Sequence, residues 1–275
     1  MAICITIAIE KGGVGKTATT VNLAGAMARD GKKVLVVDTD VQANSTFLLT
    51  GHTLMENVYP KNGLFDMIRA FGILPAKTYI SPTQFENIDI IVSNKSTPLI
   101  PNQLSTLAES NQMKETDFLW TSLGEIDEDY DYILIDTPPA HDNILVQSAM
   151  IASDYVIIPV KYEEQCIQSL VTTYNVMKKL EQDEEIEINL LGILPTTVEQ
   201  TALTNYYREE LAQGFFKDKM FKTYIRKGNA INESNLYAKP CVLGEKTRNS
   251  KPAKDYLAFY EEIRQMIEAD MEEDE

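Results

Sequence analysis

The chain has 275 residues, of which 44% are hydrophobic and 24% charged, enough apolar material for one large α/β core. Three widely spaced cysteines and two histidines argue against a disulfide framework, a structural zinc site and an iron–sulfur cluster. The net charge of −16 disfavours nucleic-acid binding by the surface as a whole. The first apolar run is too short for a membrane span and lacks the features of a signal peptide, so we expect a cytoplasmic protein.

The first predicted strand leads into a glycine-rich turn. Residues 3–9 are apolar, residues 11–17 read Lys-Gly-Gly-Val-Gly-Lys-Thr, and a helical pattern follows. Such a turn directs backbone N–H groups and the positive end of a helix dipole at a polyphosphate. Lys16 is expected to reach the β- and γ-phosphates, and the Thr17 hydroxyl to bind Mg²⁺. The predicted phosphate-binding residues are Gly12, Gly13, Val14, Gly15, Lys16, Thr17 and Ala18.

Two positions distinguish this turn from the ordinary P-loop, because Glu10 replaces the first glycine and a second lysine, Lys11, follows it. Lys11 cannot easily fold back onto its own nucleotide, so its useful target is a phosphate held by a neighbouring subunit. This spacing resembles the deviant Walker A motif of the ParA/MinD family of ATPases. The resemblance implies that Lys11 crosses the interface of a homodimer that encloses ATP.

The second apolar run, residues 33–38, is followed by a polar turn. Its polar positions are Asp38, Asp40, Gln42 and Asn44. The turn resembles the second motif of the same family, with Val41 in place of a proline. Asp40 is expected to position or deprotonate the attacking water, so the predicted catalytic residues are Lys11, Lys16 and Asp40. A solvated turn at the end of a strand is the alternative interpretation of both aspartates.

Residues 51–120 match no motif of the family. Their turn-forming residues predict loops around short helices, or an insertion with its own contact surface. These residues are Pro60, Gly63, Gly72, Pro75 and Pro82.

A third apolar run, residues 132–135, ends in Asp136 and Thr-Pro-Pro and resembles a Walker B strand. Asp136 is expected to hold Mg²⁺ through water, together with Thr17. His141 follows closely and is assigned either to nucleotide sensing or, preferably, to a helix cap or the surface.

Residues 153–160 and 191–196 resemble the next two strands of the family, and the resemblance implies that Pro195 and Thr196 border the adenine. Continuous apolar strands separated by helix-length segments predict an α/β fold, a doubly wound, mostly parallel twisted sheet with helices on both faces. Such sheets bind ligands at the carboxyl ends of their strands, where all three motifs end. No linker divides the chain, so we expect one domain over residues 1–275.

The charge is divided unevenly near the C-terminus. Residues 217–254 carry ten basic and three acidic side chains, a net charge of +7. This basic segment predicts nonspecific binding to the phosphates of double-stranded DNA, although a solvated lysine-rich surface is the alternative. An alignment with ParA-like proteins places Ala230 and Thr201 where that resemblance implies DNA-binding arginines. The remaining DNA-binding candidates are Arg208, Lys219, Lys222, Arg226 and Lys227.

Apolar residues recur at helical spacing after Pro252, which predicts a C-terminal helix over about residues 252–269. Its polar face carries Glu261, Glu262 and Glu268, so anionic lipid should repel it. We therefore expect this helix to dock on the core, no membrane partner, and a frayed, solvated acidic tail over residues 270–275.

The resemblance implies a partition ATPase that dimerises with ATP, joins the nucleoid when ATP-bound and is released by a ParB-like centromere-binding adaptor. Three alternatives remain open at the level of sequence. They are a MinD-like positioning ATPase, a deviant P-loop ligase that activates a small-molecule carboxylate, and a regulatory module that holds ATP without turnover.

Overall fold

A computed structural model describes residues 1–53, 62–140 and 143–273, and these residues form a seven-stranded sheet. The strands are β1 (Ile3–Ile7), β2 (Val34–Asp38), β3 (Ile80–Pro82), β4 (Ile88–Ile91), β5 (Tyr132–Asp136), β6 (Tyr155–Val160) and β7 (Leu190–Pro195). The helices are α1 (Lys16–Arg29), α2 (Asn44–Thr50), α3 (Leu64–Arg69), α4 (Ile100–Asn111), α5 (Asp117–Gly124), α6 (Ile144–Ile151), α7 (Glu164–Glu184), α8 (Ala202–Gln213), α9 (Asn229–Tyr237) and α10 (Lys251–Glu273).

The strand order is β3-β4-β2-β5-β1-β6-β7, and every pair is parallel except β3 with β4 at one edge. The doubly wound α/β prediction is therefore confirmed. Strand β2 shows why its sequence is a continuous apolar run. Val34 and Val36 belong to the core beneath α1 and α10, whereas Leu35 and Val37 belong to the core on the opposite face. Both faces of the sheet are covered, so alternation with polar residues is absent from this strand.

Strand register brings the three predicted motifs to one edge of the sheet. Central strand β1 lies between β5 and β6, and β5 separates β1 from β2. Ile7 pairs with Asp136, and Asp136 pairs with Asp38 on the other side. The carboxyl ends of β1, β2 and β5 are therefore level with one another. Each predicted motif continues from one of these strand ends.

The expectation of a separate insertion within residues 51–120 is wrong for the part of it that the structure describes. Its residues supply β3 and β4, and β4 pairs directly with the central strand β2. Ile88, Ile90 and Ile91 are buried in the cores on the two faces of the sheet. Two sequence predictions fall outside the described residues. They are the loop at Pro60 and the place of His141 at a helix cap, at the surface or at the nucleotide.

Helix α10 is longer than the sequence pattern indicates. Tyr256, Phe259 and Ile263 are buried in the core shared with α1. The helix continues to Glu273, so the expected frayed tail is wrong for residues 270–273. Asp270 accepts a 2.6 Å hydrogen bond from the hydroxyl of Tyr155 on β6, which holds this last part of the helix against the sheet. No helix in the described ranges combines the length and the apolarity that a bilayer crossing requires.

Candidate nucleotide-binding site

The turn between β1 and α1 has the backbone of a phosphate-binding loop. Gly13 and Gly15 have φ angles of 73° and 98°, in the left-handed region that side chains rarely tolerate. Helix α1 begins at Lys16, directly after Gly15. The first N–H groups of a helix lack partners within it and face the loop, so this junction is suited to an anion.

The Lys16 amine lies over this loop. Its Nζ donates to the carbonyl oxygens of Ile9 and Lys11, each at 3.1 Å, and the residue is 6% exposed. Desolvation lowers the pKa of Lys16, while the carboxylates of Asp136 and Asp40 oppose this shift. Two backbone carbonyls are the acceptors of this buried amine among the residues that the structure describes, so it is well placed to exchange them for phosphate oxygens.

Two buried carboxyl groups face each other beside the loop. Asp38 and Asp136 occupy paired positions at the ends of β2 and β5, and both are fully buried. Burial, and next the nearby charge of Asp136, raise the pKa of Asp38 to about 8 in spite of the hydrogen bonds from Thr46. Burial also raises the pKa of Asp136 to about 6, although hydrogen bonds from the Ser45 and Thr17 hydroxyls lower it. The site therefore groups acidic side chains whose charge the Lys16 amine offsets only in part.

Asp136 has the features of a metal-binding group. Its Oδ2 accepts a 2.7 Å hydrogen bond from Ser45, but its buried Oδ1 lacks a hydrogen-bond partner of good geometry among the described residues. A buried, unpartnered carboxylate oxygen is costly unless a cation or water binds it. Mg²⁺ prefers oxygen ligands and retains several waters, so Asp136 and the neighbouring Thr17 hydroxyl fit this ion.

Asp40 is held by its own turn. Its N–H donates to Asp38 Oδ1 at 3.1 Å, and its Oδ1 accepts from the Gln42 N–H at 2.9 Å. Asp40 is only 7% exposed, and it borders a cleft beside the phosphate loop. These contacts fix a carboxylate at the mouth of the site, where it can orient a water molecule.

The structure adds two residues that the sequence interpretation missed. Ser45 donates to Asp136, and Thr46 donates through both its N–H and its hydroxyl to Asp38 Oδ2, at 2.8 and 2.7 Å. Both residues lie in the first turn of α2, where hydroxyl side chains usually indicate a helix start. The sequence offered one signal that Ser45 and Thr46 have a further role, namely the aspartates that end β2 and β5.

The predicted residues meet in a cleft of about 760 Å³ between the phosphate loop, α2 and α9. It is lined by most of the predicted loop residues and by Asp40. These are Gly12, Gly13, Gly15, Lys16, Thr17, Ala18 and Asp40. Asn232 and Asn235 of α9 also line it, which sequence reasoning did not anticipate.

Thr196 lies against the phosphate loop, and its predicted place at the adenine, with Pro195, stays a prediction. It is 2% exposed, and its hydroxyl donates to the carbonyl oxygen of Val14 at 2.7 Å. Neither Thr196 nor Pro195 lines the described cleft, nor does Val14. Thr196 therefore lies beneath the phosphate loop and supports its backbone.

Comparison with known proteins agrees with this geometry. A family model described as an AAA domain matches residues 2–190. The sporulation initiation inhibitor protein Soj of Bacillus subtilis is 29% identical over 264 residues, which cover 94% of this chain and 97% of that protein. The chain belongs to the ParA/MinD family of ATPases.

Two solved structures share the fold of this chain. An ATP complex of a Cyanothece McdA variant has a TM-score of 0.78 at 19% identity, covering 97% of this chain and 96% of that chain. The cell division ATPase MinD of Pyrococcus furiosus has a TM-score of 0.74 at 24% identity, covering 97% of this chain and all of that chain. At these identities the likeness establishes the fold alone.

The signature lysine of the ParA/MinD motif points away from its own loop. Lys11 Nζ donates to the side-chain oxygen of Gln165 at 2.6 Å, in the first turn of α7. The Lys11 side chain does not line the cleft that Lys16 borders. The Lys11 amine therefore contacts α7 and not the cleft of its own protomer.

Most of the DNA-binding candidates already have partners. Arg226 forms a two-pronged ion pair with Asp255, with Nε to Oδ2 at 2.9 Å and Nη2 to Oδ1 at 2.5 Å. Lys227 pairs with Glu199 at 3.1 Å. Lys219 donates to a backbone carbonyl oxygen at 3.2 Å.

The remaining candidates are less constrained. The guanidinium of Arg208 lies 5.7 Å from the centre of the Tyr224 ring. The side chain of Lys222 is exposed and makes neither a hydrogen bond nor an ion pair with any described residue. Thr201, one of the positions where an arginine is absent, accepts the N–H of Thr204 and so caps α8. Ala230, the other position, is buried.

Proposed function

We propose that this ATPase dimerises around Mg²⁺ and ATP, binds DNA nonspecifically as the dimer, and drives plasmid or chromosome partition with a ParB-like centromere-binding adaptor. The observation that carries this proposal is that the Lys11 amine donates to Gln165 on α7 and does not line the cleft that Lys16 borders. ATP in the cleft of one protomer would then complete its coordination with the partner's lysine. Nucleotide would thereby control assembly.

Each residue of the site has a role in this proposal. Gly12, Gly13, Gly15 and Lys16 bind the phosphates, and Thr17 and Asp136 hold Mg²⁺, Asp136 through water. When bound, Mg²⁺ would neutralise charge on the phosphates. Asp40 orients the attacking water, and Lys11 stabilises charge on the γ-phosphate of the opposite protomer. Asp38 holds the backbone of Asp40 and the start of α2 in place.

DNA would contact the basic segment through cations that lack a polar partner. Within the described residues, several basic side chains of residues 217–254 are exposed and make neither a hydrogen bond nor an ion pair. These are Lys217, Lys222, Lys239, Arg248, Lys251 and Lys254. Such lysines and arginines bind phosphates by releasing counterions and do not read the base sequence. The fully paired Arg226 would support the surface without contacting DNA.

Several exposed acids of α10 favour this function over membrane positioning. Glu261 and Glu268 are exposed and share a single arginine, Arg264. Anionic lipid attracts cationic helix faces, so we expect a cytoplasmic protein that associates with the nucleoid when ATP is bound. Co-sedimentation with anionic liposomes in the presence of ATP would support the MinD-like alternative.

One set of ATPase measurements tests the proposed function. Hydrolysis is measured with and without random duplex DNA, and with the product of the neighbouring gene as the candidate adaptor. The two additions together should raise the rate, and Lys16→Ala should abolish nucleotide binding and hydrolysis. DNA retardation at low salt should require ATP, and Lys222→Ala should weaken it and reduce its salt dependence. Unretarded DNA at low salt with ATP would contradict the proposal.

A further inference from the structure

Residues 220–227 of the basic segment run along β7, the last strand at one edge of the sheet, and we call them the edge segment. The N–H groups of Phe221 and Ile225 donate to the carbonyl oxygens of Ile193 and Pro195, at 3.0 and 2.8 Å. The side chains of Phe221 and Ile225 are buried in the core that α10 shares with α1. The sheet and the core therefore hold the edge segment at these two residues.

Two acids of α10 bind further N–H groups of the edge segment. Glu262 accepts the N–H of Lys222 at 2.7 Å on one carboxylate oxygen and the N–H of Thr223 at 2.8 Å on the other. Asp255 accepts the N–H of Arg226 at 2.9 Å, in addition to its guanidinium. The two acids are about two helical turns apart, so they project from the same side of α10. Helix α10 therefore holds the main chain of the edge segment between its attachments to β7.

Glu262 differs from the neighbouring acids of α10. Glu261 and Glu268 both pair with Arg264. Glu262 is half-buried and makes no ion pair with any described residue, and the hydrogen bonds that it accepts from them are the two from the edge segment. Hydrogen bonds to an ionised acceptor are stronger than those between neutral groups. The Glu262 carboxylate therefore fixes a piece of main chain and does not neutralise a cation.

The position of Glu262 is unfavourable for DNA binding if its charge alone is considered. Lys222, whose N–H it accepts, has an exposed side chain without a polar partner among the described residues and is a candidate for contact with DNA. A carboxylate beside a phosphate-binding lysine repels the phosphate, most strongly at low salt. On charge alone, removal of Glu262 would therefore strengthen DNA binding.

We propose that Glu262 is a positioning residue for DNA binding, because it fixes the main chain of Lys222 and so presents the lysine side chain to a DNA phosphate. This inference rests on the proposed function, since it assigns the phosphate contact to Lys222. A side chain on a fixed backbone loses less conformational freedom on binding than one on a mobile loop. This gain exceeds the repulsion by the carboxylate. Loss of the two hydrogen bonds therefore weakens DNA binding even where an acid is removed.

Variants of equal charge separate position from charge at Glu262. Glu262→Asp keeps the carboxylate but shortens the side chain by one methylene, so it should not reach both N–H groups. Glu262→Ala and Glu262→Gln both remove the charge, but glutamine keeps one acceptor oxygen at the original reach. The assay is fluorescence anisotropy of a short labelled duplex of random sequence, with ATP present. Glu262→Asp should bind about three- to tenfold more weakly than wild type, and Glu262→Ala should be weaker than Glu262→Gln by a similar factor.

Further measurements show whether Glu262 acts through Lys222. Loss of one phosphate contact should lower the slope of log affinity against log salt by about 0.9 in Glu262→Asp, whereas a purely structural role would leave the slope unchanged. Glu262→Ala combined with Lys222→Ala should bind no more weakly than Lys222→Ala alone, because both changes remove the same contact. Glu261→Ala, on the same helix, is the matched control and should bind at least as tightly as wild type. Urea titrations check the folding of each variant, and if one pair includes an unfolded protein, the other pair decides.

Wild-type DNA binding separates failure of this inference from failure of the proposed function. If wild type binds DNA with ATP, three results would each overturn the positioning role of Glu262 alone. They are wild-type affinity in Glu262→Asp, tighter binding by Glu262→Ala than by wild type, and an unchanged affinity in Lys222→Ala. Absence of ATP-dependent DNA binding in wild type would instead overturn the proposed function, and this inference with it.

Discussion

Replacing Ser45 with alanine should raise the pKa of Asp136 and weaken Mg²⁺ binding. The Ser45 hydroxyl donates to Asp136 Oδ2 at 2.7 Å in a fully buried pair. A hydrogen bond to a charged acceptor contributes about 1.5–3 kcal/mol. Since about 1.4 kcal/mol corresponds to one pKa unit, its loss should raise the pKa of Asp136 by about 1–2 units. That pKa is about 6 in the intact site, so the carboxyl should change from mostly ionised to at least half protonated at pH 7.

Metal binding requires the ionised carboxylate, so this change has a measurable pH signature. Mg²⁺-dependent binding of a fluorescent ATP analogue by Ser45→Ala should be about two- to tenfold weaker than wild type at pH 7 and should recover by pH 9. Binding in EDTA should change little. Ser110→Ala, on the exposed part of α4, is the matched control. Equal affinities at pH 7, or a deficit that persists at pH 9, would refute this reasoning.

Three further predictions follow from the buried charges. Burial raises the pKa values of Asp38 and Asp136, so the native state binds more protons than the unfolded chain. The free energy of unfolding without nucleotide should fall from about pH 4 to about pH 8, and Asp38→Asn should flatten this slope in urea titrations. Arg226→Met should lower the free energy of unfolding by about 1 kcal/mol or less through loss of the partly exposed Asp255 pair, without weakening DNA binding in anisotropy assays. Asp40→Ala should leave ATP binding intact and produce a lasting dimer by light scattering, whereas a monomer would contradict its assigned role.

The fold was predictable wherever sequence and burial carry the same signal. The central strands are continuous apolar runs because both faces of the sheet are covered, and their motifs end at the same edge because parallel strands share one direction. Strand β4 was missed although Ile88, Ile90 and Ile91 form a short apolar run. Its four residues lie in a segment rich in turn-forming residues, where short runs fit either a strand or a helix.

The parts of the site that could not be predicted depend on long-range contacts. Ser45 lies 91 positions from its acceptor, and Thr196 lies 182 positions from Val14. The periods of helices and strands relate only residues that are close in the sequence, so they could not indicate either contact. Arg226 was predicted to contact DNA because its segment is basic, but the structure pairs it with Asp255 on α10. Composition locates charge along the chain, whereas only the fold shows which charges are already compensated.

The central claim is that Lys11 of one protomer completes the nucleotide site of the other. Light scattering and ATP hydrolysis of Lys11→Ala test it most directly, with ATP binding measured alongside. The account predicts that the variant binds ATP, stays monomeric with ATP at concentrations where wild type dimerises, and loses turnover. A Lys11→Ala protein that dimerises with ATP and hydrolyses it at the wild-type rate would contradict the account.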